Sequence, residues 1–252
     1  MDNIANEAIK PKLHQIVALG RAAQQEILAH VGAAEQAALG TEDHWAVKDT
    51  LVHLAMWKRH SARRVRAALA GETLPRVDDF QAVNEQTFAA HRLQPWDAVV
   101  AESEQADADL LAAIDACPDD LLTNPHAVPA LEGQPLWTTV IGNGYLHPIE
   151  HLVSFYLERG DLARATAAQQ ATVDTARQLF GADSSAYSNA VYNLGCFYAK
   201  AGQAAPAIAA VGEALRLNPD LVEWSKQDSD LDSVRADPAF QALYASNSGA
   251  KA

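Results

Sequence analysis

Apolar residues recur every three or four positions along most of this chain, and Pro and Gly occupy the gaps between the runs. That spacing places the apolar side chains on one face of an α-helix, whereas strand-like alternation never persists beyond a few residues. The pattern therefore predicts an all-α protein. We predict helical segments at 12–31, 45–70, 77–91, 95–117 and 136–159, with Gly71 as the stop signal of the second.

Four of these segments are long, and the segment at 77–91 is short enough to lie across them as a connection. Four long helices with one crossing segment are typical of a four-helix bundle. We therefore expect residues 1–160 to form a bundle domain. From Gly160 onward the chain is rich in alanine, which predicts a second region of helical hairpins at 161–252.

The C-terminal region contains an internal repeat. The segment SNAVYNLGCFYAKAGQAAPAIAAVGEALRLNPDL begins at Ser188 and resembles a tetratricopeptide repeat. Its characteristic small and large positions are Leu194, Gly195, Tyr198, Ala207, Ala214 and Pro219. A weaker copy lies 42 residues upstream, where Phe155, Tyr156, Gly160, Ala165 and Ala168 precede Phe197, Tyr198, Gly202, Ala207 and Ala210. The helix at 136–159 would then serve both domains.

The composition is that of a globular protein, with 49% hydrophobic and 20% charged residues. The formal net charge of -13 argues against nucleic-acid binding, because phosphate recognition requires clustered Lys and Arg. One positive run departs from this balance on the second predicted helix, and its simplest interpretation is a solvated helix face. The run contains Lys58, Arg59, Arg63, Arg64 and Arg66.

Two cysteines, Cys117 and Cys196, lie far apart in the sequence. This spacing indicates neither a disulfide framework nor a thiolate zinc site, and it fits a reducing cytoplasm. The first nine residues lack the apolar run of a secretion signal, and no apolar stretch reaches the length of a membrane span. We therefore expect a cytoplasmic protein with no membrane segment.

Three histidines are candidate metal ligands. His147 and His151 are four residues apart on the last long helix, so both imidazoles project from the same face and could chelate one ion. A stable zinc, nickel or iron site needs at least a third ligand, and His53 on the second helix is the candidate. The alternative is that all three are core histidines. Pro148 removes one backbone hydrogen bond between the paired histidines, so it would either open the pocket or spoil the chelate geometry.

Three further residues are expected near the same pocket. Asp49 lies one turn before His53 and could accept a hydrogen bond from its second ring nitrogen, unless it is an ordinary surface carboxylate. Trp57 and Tyr145 could line the pocket for a flat or apolar ligand, or could simply belong to the core. His60, two turns after His53, would reach the pocket rim or solvent.

These histidines occur within stretches that resemble the DinB-like superfamily of four-helix bundles, over roughly residues 10–158. The resemblance is carried by HWAVKDTLVHL at 44–54 followed by Trp57, and by GNGYLHPIEH at 142–151. Asn84-Glu85 and Trp137 further resemble its DfsB-type branch. The resemblance implies a three-histidine metal pocket at His53, His147 and His151. Members of the superfamily include thiol-dependent transferases and isomerases, and the DfsB-type branch is linked to protection against reactive genotoxic metabolites without an obligatory metal.

Two classes of function therefore remain open. The first is a metal-dependent enzyme, a hydrolase or thiol transferase, that acts on a small electrophilic or thiol-containing molecule. The second is a non-catalytic module that sequesters a small molecule in the bundle or holds a protein partner on the repeats. No nucleotide fingerprint or Ser-His-Asp order is present. The sequence leaves open whether the chain forms a homodimer.

Overall fold

The computed structural model describes residues 8–247, and every regular element in that range is helical. The prediction of an all-α protein is confirmed, since no β-strand occurs in this part of the chain. The chain divides at Tyr156 into two compact units. Within the described range, no helix combines the length and apolar character that crossing a membrane requires.

The N-terminal unit contains four longer helices, which are α1 (Ile9–Ala29), α2 (Val47–Ala70), α3 (Phe80–His91) and α4 (Trp96–Ala116), and most of a fifth, α5 (His147–Glu158). Helix α2 packs along α4, and α1 packs against α4 and the turn that precedes α5. Shorter helical segments lie at Ala33–Gln36, Asp119–Thr123, Pro129–Leu131 and Thr138–Ile141.

Helix α2 carries most of the side chains that concern the site, and both of its ends have a physical cause. At the start, the carboxylate Oδ2 of Asp49 accepts a hydrogen bond from the backbone N–H of Ala46 at 2.9 Å. This bond satisfies one of the backbone donors that the first turn of a helix leaves without a partner. At the end, Gly71 has a φ of 68° and closes the helix in the left-handed conformation, as predicted.

The helix predicted at 136–159 is helical without a gap from Thr138 to Glu158, but it is not α-helical throughout. Thr138–Ile141 forms a short α-helix, Gly142–Leu146 forms a π-helical turn, and α5 follows. Pro148 lacks the N–H that would bond the carbonyl of Gly144 in a regular α-helix, so the α-helical pattern cannot continue unchanged through this segment. In the wider turn, the N–H of His147 bonds instead to the carbonyl of Gly142, five residues earlier.

The interpretation of residues 58–66 as a solvated face is also wrong in part. The side chain of Lys58 is fully buried, where its Nζ contacts the carboxylate of Asp107 on α4 and the amide oxygen of Gln24 on α1. Arg59 pairs with Glu102, also on α4. Acidic side chains on α4 therefore neutralise part of the positive charge of α2. The sequence of α2 alone does not show these ion pairs, because their partners lie on another helix.

The C-terminal unit contains α6 (Leu162–Phe180), α7 (Ser185–Lys200), α8 (Ala204–Leu217) and α9 (Pro238–Asn247). Short segments at Leu221–Ser225 and Ser229–Leu231 precede α9. Helices α7 and α8 form a close hairpin. A Cβ added at Gly195 on α7 would lie 2.6 Å from a methyl group of Val211 on α8, so only glycine fits at this crossing.

Two turns of this unit have the same backbone geometry, 42 residues apart. Gly160 and Gly202 both have a φ of 72°. The N–H of Asp161 bonds to the carbonyl of Tyr156 at 2.9 Å, and the N–H of Gln203 bonds to the carbonyl of Tyr198 at 2.8 Å. Each turn therefore ends one helix with a left-handed glycine and begins the next two residues later.

Candidate metal centre

His53, His147 and His151 meet at one point of the N-terminal unit. His53 extends from the middle of α2, and the other two occupy successive turns of α5. The Nε2 atom of His147 lies 2.9 Å from Nε2 of His53 and 3.2 Å from Nε2 of His151. All three ligand atoms lie within 4.8 Å of one another. Pro148 therefore leaves the chelating geometry of the α5 pair intact.

These separations suit a single ion. Tetrahedral bonds of about 2.0–2.1 Å from zinc to imidazole nitrogen place the nitrogens roughly 3.3 Å apart. The two Nε2–Nε2 distances at His147 are close to that value. Three imidazoles form a donor set that zinc, nickel and iron accept, and they leave at least one coordination position for another ligand.

The electrostatics keep two of the rings in the form that a metal requires. Burial, followed by the neighbouring charge of His151, lowers the pKa of His53 to about 3, and the Asn84 side chain opposes this shift. Burial, followed by His151 and His53, also lowers the pKa of His147 well below its usual range. Both rings are therefore neutral at pH 7 and retain a lone pair.

The hydrogen bond expected between Asp49 and the ring of His53 is not formed. Asp49 is buried, but its carboxylate caps the first turn of α2 through Ala46. Nδ1 of His53 is buried with no hydrogen-bond partner among residues 8–247. Aromatic packing orients this ring instead, with the Trp45 ring centroid 4.8 Å and the Trp57 ring centroid 6.3 Å away. A cap at the helix end thus competes successfully for the carboxylate.

Trp57 and Tyr145 have different positions. Trp57 is buried beside His53, and its ring centroid lies 5.4 Å from that of Phe80. Its indole N–H donates a hydrogen bond to Oδ1 of Asn84 at 3.1 Å. Tyr145 is buried in the π-helical turn and is not one of the described residues that line the cavity beside the histidines. The structure therefore places Trp57 in the pocket and Tyr145 in the core.

The histidine cluster opens onto a cavity of about 630 Å³. Two of the three histidines contribute to its wall, and none of the described residues that line it is an Asp or a Glu. The lining residues are His53, Trp57, His60, Ser61, Arg64, Arg76, Val77, Phe80, Asn84, Thr138, Thr139, Gly142, Asn143 and His147. The volume and the mixed polar and apolar wall suit a small organic molecule.

Several lining residues were not identified from the sequence. The Ser61 hydroxyl donates to the Thr139 carbonyl at 2.7 Å and accepts from the Asn143 amide at 2.9 Å, which ties α2 to the π-helical turn. Arg64 and Arg76 supply two cations on the same wall. A signal for Arg64 was present, because His53, Trp57 and Arg64 are spaced by four and seven residues and so lie on one face of α2.

No protein-family model matches the sequence, and no curated protein or solved structure is significantly similar to it. The function must therefore be inferred from the site itself.

Proposed function

We propose that this protein is an enzyme whose three-histidine centre binds a divalent metal and acts on a small electrophilic or thiol-containing molecule. The observation that carries the proposal is the convergence of three imidazole Nε2 atoms beside a cavity large enough for such a molecule. The ion, when bound, would act as a Lewis acid toward an electrophilic group or lower the pKa of a thiol.

The chain's own residues would bind and orient the substrate. Trp57 and Phe80 form an apolar wall next to His53. Ser61 and Asn143 present a hydrogen-bonded pair on the polar wall. His60 also lines the cavity, and burial together with Arg63 and Arg64 lowers its pKa, so this imidazole would be neutral at pH 7 and able to accept a proton.

We propose a DinB-like four-helix bundle as the scaffold of the N-terminal unit and tetratricopeptide-like repeats as that of the C-terminal unit. In favour of the bundle, the three histidines that the resemblance implies as ligands lie within ligating distance of one another. In favour of the repeats, the turns at Gly160 and Gly202 have equal φ angles and equivalent hydrogen bonds. The repeats would then offer a surface to a protein partner.

The alternative function is non-catalytic sequestration of a small molecule. The aromatic wall formed by Trp57 and Phe80 favours it, because such a wall binds a flat apolar ligand without any metal. The two proposals differ in what they require of the histidines. Sequestration needs only the cavity, whereas the enzyme needs the ion.

Metal titration by calorimetry tests the proposal. We expect one zinc, nickel or ferrous ion per chain, and we expect His53→Ala and His151→Ala to weaken binding by similar factors, on the order of a hundredfold or more. His126→Ala is the matched control, because this exposed histidine lies outside the cluster and its loss should leave the affinity unchanged. The fold should survive each change, which circular dichroism checks.

Unchanged affinity in the His53 variant would reject the three-histidine centre and favour sequestration. A full ion per chain in the wild type, with ion-dependent substitution of the chloride of 1-chloro-2,4-dinitrobenzene by a thiol to give the thioether, chloride and a proton, would favour the enzyme. Stoichiometric metal binding without metal-dependent turnover of either electrophiles or thiols would instead separate the metal site from the proposed reaction.

A further inference from the structure

The cavity has a cationic end that the metal centre does not use. Arg64 extends from α2 into its wall and is half-buried. Its Nη1 donates to the carbonyl of Pro75 at 3.3 Å, but its Nε is buried without any hydrogen-bond partner in the described part of the chain. A buried donor of a charged group without a partner costs free energy, so a missing acceptor is indicated at this position.

The surroundings of Arg64 supply a second cation and no counter-ion. Arg76 lines the same cavity and, after burial, is the group that most lowers the pKa of Arg64. Arg76 itself has only a long contact of 4.0 Å with Asp78, and both side chains are more than four-fifths exposed. Within residues 8–247, Arg64 has no ion pair with a carboxylate.

Carboxylates that could pair with Arg64 are abundant in this chain. It has 32 acidic residues against 19 Lys and Arg, and the neighbouring Lys58 and Arg59 are both paired with carboxylates. Glu132 lines an adjoining cavity of about 320 Å³ that shares Arg64, but the two side chains form no ion pair. A bound anion would accept a hydrogen bond from Nε of Arg64 and would offset the repulsion between Arg64 and Arg76.

The two ends of the cavity are joined by one face of α2. His53, Trp57, His60 and Arg64 follow one another at helical spacing, and all four line the cavity. Arg64 lies eleven positions after His53, which corresponds to about 16 Å along a helix axis. Between these ends, the ring centroid of Trp57 lies 5.5 Å from that of His60 and 5.4 Å from that of Phe80. The Phe80 side chain is 60% exposed.

We propose that the cavity binds an elongated organic anion whose carboxylate or sulfonate pairs with Arg64 and Arg76 and whose apolar body lies on Trp57 and Phe80. The opposite end of the ligand would then reach His53 and His147. Only this last step rests on the proposed function, because it assigns the ligand as the substrate of the metal centre. Anion binding itself requires no metal.

The test uses the full chain freed of metal with a chelator, so that it is independent of the metal titration. The probes are 6-phenylhexanoate, the sulfonate of the same chain length, and the neutral 6-phenylhexan-1-ol, each titrated by calorimetry. Both anions should bind at least about tenfold more tightly than the alcohol, since a charge-assisted hydrogen bond contributes that much or more. Added salt should reduce this preference.

Arg64→Gln should abolish the preference for the anions, and Arg76→Gln should reduce it. Arg63→Gln is the matched control, because Arg63 is exposed on the same helix and does not line the cavity, so its variant should keep the full preference. If Arg64→Gln does not fold, the exposed Arg76 variant and the salt dependence decide the matter. Equal binding of acid and alcohol, no binding of the anions at millimolar concentration, or full preference in both the Arg64 and Arg76 variants would overturn the proposal.

Anion preference without metal binding would support the anion site at Arg64 and Arg76 and reject the metal centre. Metal binding without anion preference would support the metal centre and reject the anion site.

Discussion

The role of a single carboxylate shows how local geometry decides between two plausible partners. Asp49 stands one helical turn before His53, where a partner for the imidazole would lie, but its own position is also the third residue of α2. At the start of α2 the backbone N–H of Ala46 needs an acceptor, and the Asp49 carboxylate accepts its hydrogen bond. The pKa of Asp49 is raised, chiefly by burial, while the hydrogen bond to Ala46 opposes that shift. Asp49 therefore stabilises the helix that presents His53.

We accordingly expect Asp49→Ala to act on stability. The variant should lower the free energy of unfolding by about 1 kcal/mol, the usual cost of a lost helix cap. Its metal affinity should change less than tenfold. Asp49→Asn is the control, since its amide oxygen can still accept the bond from Ala46 and should preserve more of the stability. Urea unfolding and calorimetric metal titration measure the two effects. If Asp49→Ala instead lowered the metal affinity ten- to hundredfold and left the stability unchanged, Asp49 would be the hydrogen-bond partner of the His53 ring after all.

The residues of the candidate site differ in how far the sequence alone could predict them. The pair His147 and His151 follows from helical spacing, which is a local property. The pairing of Lys58 with Asp107 depends on which face of α4 meets α2, and no spacing along one helix encodes that. Helical spacing places Arg64 on the same face of α2 as His53 and Trp57, but only the neighbouring segments show that this part of the face lines a cavity. A charged residue on a helix can be solvated, paired or pocket-lining, and its neighbours on other helices decide which.

At the scale of elements, the segment before α5 determines where His147 lies. The expected helix at 136–159 is interrupted by the π-helical turn Gly142–Leu146, and α1 approaches this turn very closely. A Cβ built on Gly20 would lie 1.9 Å from the carbonyl oxygen of Gly144. That contact is with backbone, which cannot rotate away as a flexible side chain would. Gly20 is thus a requirement of packing, although within a helix its usual effect is destabilising.

Gly20→Ala should therefore push α1 away from the π-helical turn and disturb His147. We expect a loss of about 1–3 kcal/mol in the free energy of unfolding, the usual cost of overpacking, together with weaker metal binding. Gly142→Ala is the matched control in the same turn, because a Cβ there meets no atom within 4 Å. It should be neutral or slightly stabilising. Wild-type stability and metal affinity in the Gly20 variant would show that α1 does not constrain the turn.

At the scale of the whole molecule, hydrophobic periodicity was sufficient for the helical class and for most helix positions. It could not locate the interruption at Gly142–Leu146, because a π-helical turn keeps the apolar spacing nearly helical. The second compact unit begins at Tyr156, within the last turn of α5 and four residues before Gly160.

The position of this boundary predicts how the C-terminal unit tolerates truncation. Tyr156 is buried, its ring lies 5.7 Å from the Arg164 guanidinium, and its carbonyl accepts the N–H of Asp161 that closes the turn before α6. A fragment of residues 161–252 loses all three interactions, whereas a fragment of residues 147–252 keeps them on an intact α5.

The longer fragment should therefore unfold cooperatively in urea, and the shorter one should be less stable by about 2 kcal/mol or more, since it loses a buried aromatic side chain. Replacing Tyr156 with Ala in the longer fragment should account for most of that difference. Equal stability of the two fragments would place the start of the C-terminal unit after Gly160, and the helix α5 would then belong to the N-terminal unit alone.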